Sequence, residues 1–374
     1  MLTVLSQVAF VLALAVVAGF LYGNLSTAMQ QRGLAGDLGF LQSASGFEIG
    51  EGLISYRPSD TYGRAFAVGL LNTLLVSVVG IALATVLGVI VGVARLSTNW
   101  LISRVAAVYI EIIRNTPLLL QLVFIYFGVF VKLPSVAETV EFANTVFANQ
   151  RGVFLPRPLP SPTFGTWVLV VAAGLAVAVA LAIVLSRHHR TQATLWPAAV
   201  GALALSLVAA AGWLSVGASP LDWEMPVRGR FNFSGGIAMS PEFSAVLTGL
   251  VLYTAGFIAE VVRGGIQAVN RGQIEAARAL GLSETRILGL VIFPQAMRVI
   301  VPPLTSQYLN LAKNSSLAIA IGFPDLFSVG STIMNQTGQP VPVIMLVMAT
   351  YLAMSLFTSL LMNIYNRSVQ ILEK

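Results

Sequence analysis

The chain has 374 residues, of which 56% are hydrophobic and 10% charged, and its mean hydropathy is +0.84. This composition excludes an ordinary soluble domain and predicts a protein that lies mostly in lipid. The net charge of +6 does not indicate nucleic-acid binding, because the basic residues lie mainly in short loops beside apolar runs. The sequence has no cysteine and only two histidines, His188 and His189, which excludes disulfides and thiolate sites and argues against a catalytic triad.

Apolar runs of about 20 residues recur along the chain and predict an all-α polytopic membrane protein. We expect about eight transmembrane helices. Their approximate ranges are 3–22, 64–94, 106–131, 166–185, 195–216, 243–262, 299–323 and 343–364. The first run is long and has no basic residues before it, so it is predicted to be a retained span rather than a signal peptide.

An even number of spans places both termini on one side of the membrane. With the N-terminus inside, the cytoplasmic loops contain most of the basic residues near the spans, in agreement with the positive-inside bias. These residues are Arg95, Arg104, Arg187, Arg190, Arg263, Arg271, Arg278 and Arg286, with Arg367 and Lys374 in the tail. Both termini are therefore predicted to be cytoplasmic.

The segments 132–164 and 217–242 contain Pro, Ser and Asn and lack a span-length apolar run. They flank two plain Ala/Val/Leu spans, so 132–242 is predicted to be an insert. The remaining organisation is an N-terminal span with an outer loop (1–63), a first core part (64–131), a second core part (243–366) and a cytoplasmic tail (367–374).

The second span carries small residues at every fourth position, namely Gly80, Ala84, Gly88 and Gly92. This spacing places them on one helical face and lets a neighbouring helix approach closely. We interpret the stripe as a packing seam and not as a pore.

Polar groups within the predicted spans cost free energy in lipid unless they are paired or face a cavity. Those that suggest a substrate pathway are Asn72, Thr73, Gln121, Gln307, Asn310, Lys313, Asn314, Ser315 and Ser316. The seventh span is the most unusual, because Lys313 lies too deep to snorkel easily and Pro302–Pro303 removes backbone donors. Glu111–Arg114 and Glu260–Arg263, both at i,i+3, are predicted to be local ion pairs near the cytoplasmic interface.

The loop after the sixth span has a different character. RGQIEAARAL (271–280) is a good helix former with small residues on one face, and Gly281 follows where a left-handed C-cap is expected. Ser283 is predicted to cap a second helix, with Glu284 in its first turn. A short alanine-rich helix buries little surface alone but fits a groove on a partner, so the loop is predicted to be a docking element.

This loop resembles a known family. Glu275-Ala276-Ala277, Gly281 and the apolar triad before Pro294 resemble the EAA signature of ABC importer permeases. YIEIIRNTPLLLQLVFIYFG (109–128), GFIAEVVRGGIQAV (256–269) and LAKNSSLAIAIGFPDL (311–326) are similar to permeases for polar amino acids, the glutamine and histidine type. The insert and GFLQSASGFEIGEGLISY (39–56) resemble the larger general L-amino-acid permeases.

The resemblance implies the five-helix core of a type I importer permease, with an extra N-terminal span and an inserted helix pair, in the bacterial inner membrane. It implies docking of an ABC ATPase dimer on Glu275, Ala276, Ala277, Arg278, Gly281 and Pro294 within the loop 271–294. It also implies a sister permease, a periplasmic amino-acid-binding protein and an amino-acid substrate. ATP and Mg would be bound by the ATPase, and this sequence has no G-x-x-x-x-G-K-[ST] phosphate loop.

Two alternatives from other classes stay open at this point. An ion-coupled secondary amino-acid transporter requires an acidic coupling group at mid-depth, whereas Glu111 and Glu260 lie near one end of their spans. A membrane-embedded hydrolase requires a base beside a nucleophile, and the predicted spans contain no histidine.

Overall fold

A computed structural model describes residues 2–31, 38–174, 219–230 and 232–369, besides the isolated positions 176, 201 and 209. The chain divides into two compact units. One consists of Met1–Val131 with Glu242–Lys374, and the other is Lys132–Pro241, the stretch of the predicted insert.

The described α-helices come from both units, and all but α5 (Phe164–Gly174) belong wholly or mainly to the first. In chain order the described helices are α1 (Leu2–Gln31), α2 (Tyr62–Arg95), α3 (Trp100–Asn115), α4 (Leu118–Val123), α5 (Phe164–Gly174), α6 (Pro241–Gln267), α7 (Arg271–Ala279), α8 (Glu284–Ile287), α9 (Phe293–Asn314), α10 (Leu326–Thr337) and α11 (Pro340–Val369). A π-helical turn at Leu288–Ile292 joins α8 to α9, and a 3₁₀ segment at Ser315–Ile321 extends α9. A π turn at Phe124–Val129 and a 3₁₀ turn at Phe130–Lys132 extend α4 in the same way.

Among the described residues, four helical segments are long and apolar enough to cross a membrane: α2, α6, the run Glu284–Ile321, and Pro340–Asn366. A fifth is reached if α3 and the segment Leu118–Lys132 count as one span. The helical membrane fold is therefore confirmed, whereas the count of eight is not. The first predicted span lies within α1, and α5 covers the start of the fourth. The rest of that span and nearly all of the fifth lie outside the described residues.

The third predicted span, 106–131, is divided between α3 and the segment Leu118–Lys132 and is not formed by one straight helix. The chain breaks between α3 and α4 and bends by 106°. Pro117 disfavours helical dihedrals at the residue before it, and Thr116 accordingly adopts φ −105°, ψ 128°. The Gln121 amide donates to the carbonyls of Ile113 and Thr116, both at 2.9 Å, and so satisfies backbone groups that the break frees.

The small residues of α2 lie where other helices approach most closely. A Cβ at Gly88 would stand 2.6 Å from Ile258, and one at Gly92 would stand 2.7 Å from the carbonyl of Ala259, both on α6. A Cβ at Gly80 would meet Leu311 of α9 at 3.3 Å, and Ala84 is fully buried. The stripe thus packs α2 against two different helices.

The second unit contains short strands, which an all-α prediction did not anticipate. The strands are β1 (Val140–Phe142), β2 (Val146–Asn149), β3 (Gly152–Leu155), β4 (Arg157–Pro160), β5 (Leu221–Glu224), β6 (Val227–Arg228), β7 (Phe233–Ser234) and β8 (Ile237–Met239). They form an antiparallel sheet of order β1-β2-β3-β8 and two separate pairs, β4-β5 and β6-β7. Phe154 and Phe233 stack at 4.8 Å in a small core of this unit.

Residues 39–61 form an outer cap on the first unit. Ala44 pairs with Thr61, and the Ser45 hydroxyl bonds to the Tyr56 hydroxyl at 2.5 Å and to the Asp60 carbonyl at 2.9 Å. Burial raises the pKa of the Tyr56 phenol. Phe40 packs with residues of α2, α10 and α11 in one apolar cluster, so the cap closes over the ends of these helices.

Candidate functional site

The loop between α6 and α9 folds as a helix, a sharp turn and a second helix. Asn270 caps α7 by accepting from the Gly272 amide at 2.8 Å. Gly281 adopts φ +76°, and the amide of Leu282 reaches back to the Ala277 carbonyl at 3.2 Å. This closure satisfies the last carbonyls of α7 and requires the left-handed conformation that glycine adopts without strain.

One detail of the predicted loop differs in the structure. Ser283 stands at the start of α8 in an extended conformation, but its side chain makes no capping hydrogen bond. The first turn is tied instead by Arg278, which donates to both carboxylate oxygens of Glu284 at 2.8 and 3.1 Å. This bond lowers the pKa of Glu284 and raises that of Arg278.

The exposed part of the loop defines what we call the docking surface, namely Glu275, Ala276, Arg278, Leu280 and Gly281. All five are exposed, and Leu280 reaches 82%. Ala277 faces inward and is only 5% exposed, so the small-residue face is shared between the rest of the chain and solvent. Ala276 and Leu280 also line a hollow of about 530 Å³.

The docking surface is joined directly to the polar seventh span. From Glu284 the chain stays helical through Ile321, a run of 38 residues that is much longer than the predicted span 299–323. It continues through Pro302 and Pro303. The Gln295 amide donates to the Gln273 side chain at 2.7 Å, which fastens α7 to the beginning of α9. Pro294 is the second residue of α9 and directly follows the π-helical turn Leu288–Ile292.

The predicted pathway residues separate into two groups. Asn72, Thr73, Gln121 and Ser315 are at most 9% exposed and use their polar atoms within the chain. The Asn72 amide donates to the carbonyls of Glu51 and Pro324, both at 2.9 Å, and the Thr73 hydroxyl accepts from the Leu326 amide at 2.9 Å. These contacts give the buried group a positioning role between the outer cap, α2 and α10.

Asp325, which sequence reasoning missed, is the centre of this arrangement. It is fully buried, accepts from the Ser328 amide at 2.8 Å as the N-cap of α10, and accepts from the Tyr351 hydroxyl at 3.2 Å. We call Pro324–Leu326 (324–326), with Asn72, Thr73 and Tyr351, the outer latch. An Asp before an apolar helical stretch is an N-cap pattern that could have identified it.

The second group is accessible in this chain. Gln307, Asn310 and Asn314 are spaced i, i+3, i+7 on α9 and so share one face, with Lys313 beside them. Asn310 and Lys313 are exposed, whereas Gln307, Asn314 and Ser316 are half-buried. Among the described residues, none hydrogen-bonds the side chains of Gln307, Asn310, Lys313 or Asn314, which leaves this polar face open to other groups. Ser316 donates to the Lys313 carbonyl at 2.8 Å.

One of the two predicted ion pairs forms. Arg263 binds Glu260 through two hydrogen bonds and reaches Gln267 at 2.5 Å. Arg114 does not pair with Glu111, contrary to prediction. Its guanidinium lies over the Phe257 ring of α6, 5.3 Å from the ring centre, because the side chain crosses to the neighbouring helix rather than following its own.

Comparison with known proteins agrees with this architecture. Residues 84–374 match the family described as binding-protein-dependent transport system inner membrane component. The chain is 43% identical to the general L-amino acid transport system permease protein AapQ of Rhizobium johnstonii, over 97% of this chain and 92% of that protein. It is 46% identical to the putative amino-acid ABC transporter permease protein YhdX of Escherichia coli, over 99% of this chain and 94% of that protein.

A search of solved structures gives the crystal structure of an amino acid ABC transporter with histidines. The match covers 82% of this chain and 94% of the chain in that structure, with 23% sequence identity and a TM-score of 0.49.

Proposed function

We propose, since this chain belongs to the family of binding-protein-dependent transport system inner membrane components, that it moves amino acids across the bacterial inner membrane by alternating access. The chain is a permease subunit, and the names of the relatives AapQ and YhdX support amino acids as the cargo. The proposed energy source is ATP hydrolysis by a separate ATPase dimer, which would bind ATP and Mg.

The uninterrupted helical run from Glu284 to Ile321 is the observation that carries this proposal. One end begins at the docking surface, and the other end contains the open polar face of α9. A helix transmits displacement along its axis, so movement of a partner bound to α7 would pass the tight turn at Gly281 and then reach Asn310 and Asn314 along one helical run. The bond between Gln273 and Gln295 supports this link.

The proposed orientation places the docking surface and both termini in the cytoplasm. It rests on the distribution of basic residues, which are concentrated near Arg95, Arg104 and the α6–α9 loop. In this orientation the outer cap and the outer latch lie on the periplasmic side, where a periplasmic amino-acid-binding protein would deliver its ligand.

The proposed pathway runs along the open face of α9, between this chain and a sister permease. Polar side chains exposed at membrane depth need partners, and Gln307, Asn310, Lys313 and Asn314 have none among the described residues. A second permease would enclose them and complete the passage. Because Asn314 is neutral, the face suits zwitterions of mixed side-chain charge.

Ion coupling, the alternative mechanism, would need a carboxylate that is free to take up a cation. Asp325 is the buried acid that the structure adds to those considered from sequence, but its oxygens already accept from Ser328 and Tyr351. The family and the ABC relatives also favour the ATP-driven mechanism over ion coupling.

Gly281 provides the test of the docking surface. Valine at φ +76° is strained by about 1–3 kcal/mol, and an added Cβ would meet no atom within 4 Å, so the strain is conformational and not steric. We expect Gly281→Val to lower ATP-dependent uptake of radiolabelled L-glutamine by about tenfold in cells that also make the sister permease, ATPase and binding protein.

Two variants control for nonspecific damage. Gly281→Asn retains a residue that tolerates the left-handed region and should keep most of the uptake. Gly19→Val lies in α1, outside the loop 271–294, where an added Cβ also meets no atom within 4 Å, and should transport normally. Normal uptake by a membrane-inserted Gly281→Val protein, or equal loss in all three variants, would contradict the proposal.

A further inference from the structure

A cavity of about 490 Å³ lies between α2, α3 and α6, apart from the open face of α9. Its volume is within the range of about 300–1,000 Å³ typical of small-molecule sites. The charged or aromatic side chains that line it are Arg95, Glu111, Arg114, Phe257, Glu260 and Arg263. Arg95 ends α2, and Glu260 and Arg263 lie close to the end of α6, so these three residues stand toward the helix ends that are cytoplasmic in the proposed orientation.

Most of the charges in this cavity are already engaged. Glu260 and Arg263 bind each other, and Arg95 donates to the Ser103 hydroxyl at 3.0 Å. Arg114 and Glu111 differ. Among the described residues, no hydrogen bond reaches the Glu111 carboxylate, and the Arg114 guanidinium lies over the Phe257 ring without donating a hydrogen bond to another side chain, which leaves its N–H groups available.

Arg114 and Glu111, the two charged side chains that remain available in this cavity, are neighbours. Glu111 and Arg114 stand at i,i+3 on α3, a spacing that brings Cβ atoms to about 5–6 Å on one side of a helix. They could pair with each other but do not, because Arg114 is drawn to α6. The contact with the Phe257 ring holds the Arg114 guanidinium at the cavity before any ligand arrives.

We propose that this cavity binds the zwitterionic head group of a free α-amino acid from the cytoplasmic side. The α-carboxylate would accept two hydrogen bonds from the Arg114 fork, and the α-ammonium would donate to Glu111. The inference rests on the proposed function and extends it with an exit-side site on this chain. An occupied site of this kind would let cytoplasmic amino acid slow further import.

The mixture of charges argues for a zwitterion over an anionic lipid head group. A phosphate beside Arg114 would also face Glu111 and Glu260, and like charges at close range oppose binding. An α-amino acid carries both charges within one small group and satisfies both open side chains at once.

Equilibrium dialysis of radiolabelled L-glutamine against the complete transporter in phosphatidylcholine nanodiscs, without binding protein, tests the site. We expect one class of saturable sites that Arg114→Gln and Glu111→Gln each weaken by about ten- to a hundredfold. Arg114→Lys keeps the charge but loses the fork, and should weaken binding less than Arg114→Gln. Arg104→Gln, on the same helix but outside the cavity, should bind like the unaltered transporter.

Binding that is insensitive to both Arg114→Gln and Glu111→Gln would overturn the proposal. So would loss with Arg114→Gln alone together with selective retention of phosphatidylglycerol by the unaltered transporter, which would make the cavity a lipid site. ATP hydrolysis stimulated by the loaded binding protein is measured on the same samples. Its absence in the unaltered transporter would defeat the proposed function, whereas stimulation with unchanged dialysis would defeat only the cavity.

Discussion

The outer latch and the docking surface stand at opposite ends of one helical run, and they treat their polar groups in opposite ways. At the latch, Asn72, Thr73 and Asp325 are buried and hydrogen-bonded within the chain. At the docking surface, Glu275 and Arg278 are exposed, and Arg278 pairs with the equally exposed Glu284.

This difference shows which end of the run is anchored. Buried hydrogen bonds between residues far apart in sequence fix the latch to α2 and α11, because breaking any of them leaves a polar group unsatisfied in a dry environment. Exposed charges lose little when they change partners, so the docking surface can exchange its contacts for those of another protein. The run from Glu284 to Ile321 is thus fixed at the end beside the latch and available at the end beside the docking surface.

The largest effect that would sharpen this contrast is expected from Asp325→Ala. The change removes the N-cap of α10 and the acceptor of the Tyr351 hydroxyl, and should lower the free energy of unfolding by about 2–4 kcal/mol. Asp325→Asn keeps one oxygen to accept from the Ser328 amide but puts an NH2 donor where the second oxygen accepts from Tyr351, so it should recover only the capping part of the loss. Unfolding in mixed micelles by sodium dodecyl sulfate titration measures both. Equal stability of the alanine and asparagine variants would show that the latch does not anchor α10.

A smaller loss is expected from Thr73→Val, which preserves shape and removes the acceptor of the buried Leu326 amide. We expect about 1–3 kcal/mol in the same titration. Thr350→Val is the matched control, since within the described part of the chain the Thr350 hydroxyl bonds only to the Leu346 carbonyl one turn earlier in α11, and it should cost less than about 0.5 kcal/mol. Indistinguishable results for the two threonines would remove Thr73 from the latch.

The two ends also differ in how far sequence could predict them. The docking surface is local: helix-forming residues, Gly281 and the turn after it lie within about a dozen positions, and the structure forms the expected helix, left-handed turn and helix. The latch joins Thr73 to Leu326 and Asn72 to Pro324, more than 250 positions apart. Polar residues in apolar runs indicate that partners exist, but a single sequence does not identify them.

The same distinction explains the other differences. The break after α3 depends on Gln121 satisfying the carbonyls of Ile113 and Thr116, which spacing in the sequence does not show. The strands of the second unit are two to four residues long, too short for a periodic pattern to be distinguished from loop sequence. The sequence shows Glu111 at i,i+3 from Arg114 on one helix, and this spacing predicts an ion pair. It does not show that Phe257 of α6 lies beside Arg114 in the fold.

Asn314→Asp tests the open polar face of α9, which lies between the docking surface and the outer latch. A carboxylate on the open face of α9 attracts a cationic side chain, and we expect uptake of L-arginine relative to L-glutamine to rise by roughly tenfold. Asn363→Asp adds the same charge on α11, away from this face, and should leave the ratio unchanged. A competition assay with an unaltered profile for Asn314→Asp would remove this face from the pathway.

The smallest effect on stability is expected at the docking surface, where the charged side chains are exposed. Arg278 and Glu284 are both exposed, so water and salt screen their attraction, and Arg278→Gln should leave the thermal unfolding midpoint unchanged within error. The same variant should reduce co-purification of the ATPase, because the charge belongs to the surface that a partner would cover. The exchange Arg278→Glu with Glu284→Arg restores the internal pair while it inverts the pattern presented to a partner. If this exchange restores ATPase binding, the pair serves the shape of the loop, and the docking surface would lose Arg278 as a direct contact.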